Sequence, residues 1–525
     1  MADHRKVMFV WTLFEHQKTL MWKYISYFRE REKERRNMLN ASSRYQDIIT
    51  KSTLISPAVY QLRPKEEKFG TLTRKTVGEK NLNKTNRTIL LVGETGAGKS
   101  TLINALVNYT MGVKLEDNIW FEIVEEEKRS QTESQTPDVI VYEIFGYKGK
   151  TLPYALTIID TPGFGDTRGI ERDVIVSQRL FDLFRSDDGV HELSAVGLVL
   201  KASENRVSDR LRYIFDSVTS LFGKDIEENI IALITNSNGL KPDDALEALE
   251  AAKIICAKNE KNQPVHFLFD NCQRKERTEE DKLPLENAWR ITERGMKRFT
   301  DFLKEFKPQK LVMTVEVLNT HIRLTACIQN LQERIQRIEL KQKVIQLTEE
   351  VLKKHKEEIK KNEEFTVEVE EVYKEKEPIS GGMWGLYPFA GAVCCNVCEE
   401  NCHSSCTMAK TAEDCKVMKD GYCTVCTGKC PASDHVKEKW RYVTNTRKIM
   451  KTQQDMIVKY KKGKSENEKE KSLKEHLQTE MKELTAEKIK WLDEVYQHVV
   501  KLEQIALNNS NREFSDFRAD VGDAK

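Results

Sequence analysis

Short apolar runs without polar interruption alternate with longer stretches of helical character through residues 86–305. Uninterrupted runs of this kind are typical of strands buried on both faces of a largely parallel sheet. Stretches such as Leu102–Val107 and Asp243–Lys258 fill the gaps and predict connecting helices. We therefore predict a doubly wound α/β domain over residues 86–305. Its predicted strands are Thr88–Val92, Asp138–Ile144, Ala155–Asp160, Ala195–Leu200, Ile230–Thr235 and His266–Phe269.

A different pattern begins after Pro308, where apolar residues recur at heptad spacing in a strongly polar sequence. This spacing predicts a long helix over residues 306–377 that packs in coiled-coil fashion. A companion seam loses its apolar residues after Ile335, so the prediction is stronger for the first half of the helix. The heptad positions are Val317, Leu324, Leu331, Ile338, Ile345, Leu352 and Ile359.

Helical spacing returns near the end of the chain with Leu477, Leu484 and Trp491. It predicts a second coiled-coil helix and tail over residues 441–525. Between the two helices lies a Cys-rich module, residues 378–440. Helices flanking a compact insert predict an antiparallel hairpin with the module at its tip, and pairing between chains is the alternative.

Residues 1–85 carry no chemical motif and are predicted to be an N-terminal helical and linker region. Lys6–Phe28 mixes aromatic residues with lysine and histidine and runs into the charged segment Arg29–Arg36. This predicts a docking helix followed by a solvated helical face, or alternatively a helix lying in a membrane interface. The Gly-, Lys- and Asn-rich stretch Gly70–Thr85 predicts a linker.

Composition narrows the function classes. The chain has 525 residues, of which 32% are charged and 39% hydrophobic, a balance that long solvated helices produce. A net charge of +2 gives no indication of nucleic-acid binding. No apolar run reaches the roughly 18 residues of a membrane-spanning helix, and no secretory signal is recognisable. We expect a cytoplasmic protein with reduced cysteines.

A phosphate-binding motif follows the first predicted strand. Gly93–Ser100 fits the pattern G-x-x-x-x-G-K-[ST] and precedes an apolar helix, which is the context that the motif requires. Gly96 and Gly98 let backbone N–H groups turn toward phosphates, Lys99 would reach the β- and γ-phosphates, and Ser100 would bind Mg²⁺. The predicted nucleotide-binding residues here are Gly93, Glu94, Thr95, Gly96, Ala97, Gly98, Lys99, Ser100 and Thr101.

A second anchor, Asp160-Thr-Pro-Gly163, ends the strand Ala155–Asp160. Asp160 is placed to hold a water on Mg²⁺, and the N–H of Gly163 to sense the γ-phosphate, which makes the following segment a switch. In the loop before the strand Asp138–Ile144, Thr132 or Thr136 would place a hydroxyl on Mg²⁺. We predict Lys99, Ser100, Asp160 and Gly163 as catalytic residues, and Ser100, Thr132 and Asp160 as the Mg²⁺ site.

The strings Gly93–Thr101 and Asp160–Asp166 together resemble the septin/paraseptin branch of P-loop GTPases. They are similar to septins and to the immunity-associated, AIG-type GTPases. This resemblance implies a domain that binds GTP or GDP, dimerises through its nucleotide face and hydrolyses GTP weakly. With the coiled coil, it implies a homodimer or oligomer.

The chain departs from that resemblance at two places. Family members carry [NT]-K-x-D where this chain has Thr235-Asn236-Ser237-Asn238, so an amide replaces the carboxylate that binds guanine. Loss of that charge-assisted pair costs about 1–3 kcal/mol of discrimination and leaves an ATPase open. Phe164 stands where some small GTPases have a water-orienting Gln, and it would form part of the switch. Asn271 is a candidate contact to the base.

The Cys-rich module has the spacing of metal ligands. Its C-x₂-C pairs predict tetrahedral Zn²⁺ with a structural role, although the assignment of ligands to sites stays open. A disulfide knot and reduced cysteines without metal are the alternatives. The predicted ligands are Cys395, Cys398, Cys402, Cys406, Cys415, Cys423, Cys426, Cys430 and His435.

The sequence leaves three functions open. The first is a GTPase switch whose nucleotide controls dimerisation or assembly. The second is a scaffold that keeps its nucleotide, and the third is a zinc-dependent binding module regulated by the α/β domain.

Overall fold

The structure is a computed structural model of the chain. It describes residues 44–56, 58–69, 72–80, 84–117, 119–124, 139–146, 152–162, 170–186, 188–273, 280–354, 366–379, 391–406, 409–452 and 466–507. The chain divides into two compact units. The first contains Met1–Val218 and Ile226–Lys310, and the second contains Thr219–Asp225 and Leu311–Lys525.

A mostly parallel sheet forms the centre of the first unit. Its strands are β3 Lys65–Phe69, β4 Leu72–Gly78, β5 Asn86–Gly93, β7 Ile140–Gly146, β8 Ala155–Asp160, β10 Ala195–Lys201, β11 Ile230–Thr235 and β12 His266–Leu268. Within the described residues their order across the sheet is β12-β11-β10-β5-β8-β7-β4-β3, and only the β7–β8 and β3–β4 pairs are antiparallel. This confirms the predicted α/β domain with a mainly parallel sheet.

Part of the predicted linker belongs to this sheet. β4 pairs with β7, and β3 pairs with β4 and forms the edge of the sheet. The prediction of a linker at Gly70–Thr85 was wrong where β4 lies. β4 buries only Leu72 and Val77, so its sequence has few apolar residues to indicate a strand. Charged side chains are a common feature of edge strands, where they discourage pairing with another chain.

The remaining strands of the first unit form smaller sheets. β1 Ser52–Ser56, β2 Val59–Leu62 and β6 Trp120–Glu122 make one sheet, and β9 Glu192–Leu193 pairs with β13 Gln309–Lys310. The described helices of this unit are α1 Gln46–Ile49, α2 Lys99–Thr110, α3 Ile170–Arg185, α4 Asp209–Thr219, α5 Asp243–Ala251 and α6 Lys282–Glu305. Among the described residues, no helix is both long and apolar enough to cross a membrane.

The second unit combines two long helices with strands. Its helices are α7 Val312–Lys354 and α8 Glu466–Ile505, and a two-stranded ribbon pairs β14 Thr366–Pro378 with β20 Trp440–Thr452 along their whole length. The prediction of helix at residues 366–377 and 441–452 was therefore wrong. The sequence Thr366-Val-Glu-Val-Glu alternates polar and apolar residues with the period of a strand, and its β-branched residues favour a pleated backbone.

The Cys-rich module packs against the sides of both helices. Its strands are β15 Gly391–Cys395, β16 Glu400–Cys406, β17 Met418–Lys419, β18 Tyr422–Cys423 and β19 His435–Glu438. Heptad residues such as Leu324 and Leu331 share one buried core with Trp491 of α8 and with the module's cysteines. The module therefore does not lie at the tip of a helical hairpin, because the apolar seam of α7 is covered by the module as well as by α8.

Candidate functional site

The phosphate loop connects the buried strand β5 to helix α2. Gly96 and Gly98 adopt positive φ angles of 81° and 97°, which L-residues with side chains rarely adopt. A Cβ atom at Gly98 would lie 3.3 Å from the side chain of Thr235, so glycine also permits close packing there. The loop thus leads into the N-terminus of α2. The first N–H groups of a helix have no partner within the helix and can bind an anion.

Lys99 lies at the start of α2 and points back over this loop. Its Nζ donates hydrogen bonds to the carbonyl oxygens of Gly93, at 2.7 Å, and Glu94, at 3.2 Å. Burial lowers the pKa of Lys99, and the nearby carboxylate of Asp160 opposes that shift. The ammonium is therefore held inside the loop by acceptors that a phosphate group can replace.

Asp160 ends β8 beside the phosphate loop. It pairs with Leu91 of the parallel strand β5, and the hydroxyl of Thr161 donates to the Leu91 carbonyl at 2.9 Å. Asp160 is fully buried, and its charge acts on Lys99. Ser100, partly exposed in the first turn of α2, follows Lys99 directly. The structure thus gathers three predicted residues at the carboxyl ends of adjacent parallel strands, where such sheets bind ligands.

Several predicted switch residues lie outside the described residues. They are Thr132, Thr136, Gly163 and Phe164. Their roles remain predictions.

Thr235 has a structural task that the sequence did not indicate. Its hydroxyl donates to the Ala97 carbonyl at 2.7 Å, with the Leu200 carbonyl at 3.3 Å. The side chain is buried and therefore clamps the end of β11 to the phosphate loop. The predicted contact of Thr235 with nucleotide stays a prediction.

The loop after β11 presents the predicted base-binding residues. Asn236 has a positive φ of 52° and is exposed, as is Asn238. The Oδ1 atom of Asn238 accepts a hydrogen bond from the Leu240 N–H at 3.0 Å, so part of its acceptor capacity serves the turn. Asn271 is half-buried after β12, and its Oδ1 lies 3.3 Å from the Thr292 hydroxyl.

Sequence reasoning missed two asparagines on the buried face of α2. Asn104 Oδ1 accepts hydrogen bonds from the N–H groups of Ile123 and Val124, at 2.9 and 3.1 Å. Asn108 donates to the Phe121 carbonyl at 2.6 Å and accepts from the Phe121 N–H at 2.9 Å. These bonds attach the β6 segment to the helix that carries Lys99. Two asparagines four positions apart in an apolar helix were the available signal.

Among the described residues of the second unit, Cys327 lies near Glu494 and His498, and the cysteines of the Cys-rich module gather into three further groups; in each group the ligand atoms lie within 4.8 Å of one another. We call the module's three groups the four-cysteine group, the Cys₃His group and the His403 group. All the cysteines are free thiols, which disagrees with a disulfide knot. His403 is a candidate ligand that the prediction omitted. The groups are Cys395, Cys398, Cys426 and Cys430; Cys402, Cys423, Cys426 and His435; and His403, Cys406 and Cys415.

Backbone N–H groups point at several of these sulfur atoms. Cys398 N–H lies 3.3 Å from Cys395 Sγ, and Cys426 N–H lies 3.4 Å from Cys423 Sγ. Donors in these positions stabilise a thiolate, which is the form that binds metal. The arrangement suits tetrahedral coordination by sulfur and imidazole, the chemistry that Zn²⁺ prefers in structural sites.

Comparison with known proteins adds the following. The model of the AIG1 family matches residues 87–283, which belong to the first unit except for residues 219–225. No curated protein matches the chain.

Among solved structures, Toc33 from Arabidopsis thaliana with Mg²⁺ and GMPPNP is 18% identical, covers 43% of this chain and 88% of its own, and has a TM-score of 0.29. The same protein with GDP and Mg²⁺ is 18% identical, covers 44% and 89%, and has a TM-score of 0.28. Elongation factor SelB from Methanococcus maripaludis is 11% identical, covers 43% and 36%, and has a TM-score of 0.24.

Proposed function

We propose that residues 86–305 are a GTP-binding domain of the septin/AIG type that hydrolyses GTP slowly. The observation that carries this proposal is the phosphate loop, in which buried Lys99 is held by the loop's own carbonyls beside Asp160. The AIG1 match over residues 87–283 supports guanine nucleotide as the ligand.

The residues of the site fit Mg²⁺ as a companion of the nucleotide. Ser100 supplies a hydroxyl, Asp160 a carboxylate that can hold a bound water, and Thr132 a second hydroxyl in the predicted switch. Hydroxyl, carboxylate and phosphate oxygens are the ligands that Mg²⁺ favours. When bound, the cation neutralises charge that develops on the phosphates, while Lys99 binds and orients them.

Hydrolysis should be slow because Phe164 offers no hydrogen bond to orient a water. A partner chain supplying that group would accelerate it, and the AIG-type resemblance implies pairing through the nucleotide face. The proposed cycle is therefore one in which nucleotide controls dimerisation or assembly. A scaffold that never turns its nucleotide over is the alternative.

Asn238 bears on the choice between guanine and adenine. Its amide offers both donor and acceptor, whereas a carboxylate would accept from guanine only. An ATPase is the second candidate for this reason.

We also propose that the Cys-rich module binds structural Zn²⁺ and that the protein works in the reducing cytoplasm. Thiolate groups with imidazole support the metal, and free thiols throughout the chain suit a reducing compartment. Protein partners would contact the second unit, and the balanced charge gives no support for nucleic acid.

The test is to identify the nucleotide that the full-length protein retains. Denatured protein is analysed by anion-exchange chromatography, and binding is then titrated for wild type, Lys99→Ala and the control Lys114→Ala, which alters an exposed lysine. We expect GDP or GTP in the wild type and the control, and loss of binding in Lys99→Ala. Adenine nucleotide would favour the ATPase, and unchanged affinity in Lys99→Ala would remove the site.

A further inference from the structure

Two of the cysteine groups have one member in common. Cys426 belongs to both the four-cysteine group and the Cys₃His group, and its Sγ lies within 4.8 Å of every other ligand atom in each. Two separate tetrahedral sites would need eight donor atoms, and the two groups together supply seven. One donor must therefore serve twice if both sites are to be filled.

We propose that Cys426 is a bridging thiolate that joins two Zn²⁺ ions into one cluster. The proposal rests on the zinc binding proposed above and adds the number and connection of the ions. A thiolate sulfur has lone pairs for two metal bonds, and each thiol releases its proton to solvent when it binds. The cluster then holds one ion with four sulfur ligands and one with three sulfurs and an imidazole.

The position of Cys426 in the chain explains why it is shared. It closes the pair Cys423-x₂-Cys426 and opens the pair Cys426-x₃-Cys430, so that two chelating segments meet at one residue. Its Sγ also accepts the N–H of Cys430 at 3.3 Å. The turn around Cys426 therefore places Cys423 in the Cys₃His group, Cys430 in the four-cysteine group and Cys426 in both.

The strands of the module supply the remaining ligands. β15 lies between β16 and β19, and its last residue, Cys395, pairs with Glu400 on one side and His435 on the other. Cys402 follows Glu400 closely in β16. One three-stranded sheet thereby brings a ligand of the four-cysteine group next to two ligands of the Cys₃His group.

His435 supports the second metal site of the proposed cluster, because its imidazole is oriented to bind a metal. Its side chain is 5% exposed, and Nδ1 lies 2.9 Å from the Pro431 carbonyl. This bond places the proton on Nδ1 and leaves the Nε2 lone pair for coordination. Within the described residues, Nε2 has no hydrogen-bond partner and faces the sulfur atoms of its group.

Other cysteines do not enter the cluster. The Cys394 thiol donates to Asn401 Oδ1 at 3.4 Å and packs with Tyr442 in a different core. The His403 group has its own sulfurs, Cys406 and Cys415, and shares none with the other two groups. An experiment on the cluster should therefore first remove the His403 group.

The test uses Co²⁺, which adopts the tetrahedral geometry of Zn²⁺ and is paramagnetic. The full chain carrying His403→Ala, Cys406→Ala and His498→Ala, which disables both other candidate groups, is stripped of metal and titrated with Co²⁺ under reducing conditions. We expect two ions per chain. The electron paramagnetic resonance signal should grow with the first ion and fall as the second fills, because a bridging sulfur couples the two spins antiferromagnetically.

The outcomes separate the two proposals. Two ions with additive signals, or one ion only, would overturn the bridge but leave metal binding in place. No bound ion would overturn the zinc proposal itself. Cys426→Ser in the same background should abolish the loss of signal, and nucleotide binding by the first unit checks that the variant chain is otherwise folded.

Discussion

Replacing Glu400 by alanine should destabilise the second unit far more than the loss of an ordinary surface ion pair. Glu400 lies in β16 and forms a two-bond pair with Arg334 of α7, at 3.0 and 2.7 Å. Both side chains are buried, with exposures of 7% and 10%. The carboxylate also accepts the N–H and hydroxyl of Thr427, at 2.8 and 2.6 Å. The pair therefore connects a helix to the Cys-rich module.

The magnitude follows from what the substitution leaves behind. In Glu400→Ala the Arg334 guanidinium stays buried, retaining the Val425 carbonyl at 3.1 Å and the Trp491 ring at 4.7 Å. Removing one partner of a buried pair costs about 3–5 kcal/mol, because the other charge is left uncompensated. For a unit of this size that corresponds to a fall in Tm of roughly 6–20 °C.

The assay is differential scanning calorimetry of the full chain with and without nucleotide. Nucleotide should raise the transition of the first unit, which identifies the other transition as that of the second. Glu316→Ala is the control, since it breaks an exposed pair with Lys501 in the same unit and should cost less than about 1 kcal/mol. Arg334→Met added to Glu400→Ala should recover part of the loss. A fall no larger than the control's would refute the reasoning.

Three further predictions concern the loop, the metals and pH. Thr235→Val leaves the buried Ala97 carbonyl without its donor, a cost of about 1–3 kcal/mol, so nucleotide titration should show weaker binding. Chelation of metal should unfold the Cys-rich module, seen as loss of the second calorimetric transition, while nucleotide binding persists; loss of both would contradict independent units. Burial alone would raise the pKa of Glu400, but Arg334 and Thr427 hold it below its usual value. Ionised Glu400 therefore stabilises the folded second unit above about pH 4.3, and this stabilisation is lost as pH falls through the lower folded-state pKa. Calorimetry at several pH values should show a weaker acid dependence in Glu400→Gln.

The sequence alone determined those features whose signal is local. The strands β5, β8, β10 and β11 consist mostly of continuous apolar residues, a pattern typical of strands buried on both faces. The phosphate loop was recognisable because glycine spacing, Lys99 and the following helix occupy one short segment. Asp160 could be added because it directly ends a strand, and parallel strands bring such ends together.

Tertiary structure decided whatever depends on partners distant in sequence. Residues 366–378 form a strand because β20 lies beside them. Their many charged residues are also compatible with a solvated helix, so the sequence did not reveal this pairing. Thr235 is a clamp only because the end of β11 lies beside Ala97 of the phosphate loop. The cysteines could be counted in the sequence, but their division into groups required a sheet that sets Cys395 against His435. Ligand sharing at Cys426 arises from distances in space, and spacing along the chain does not contain them.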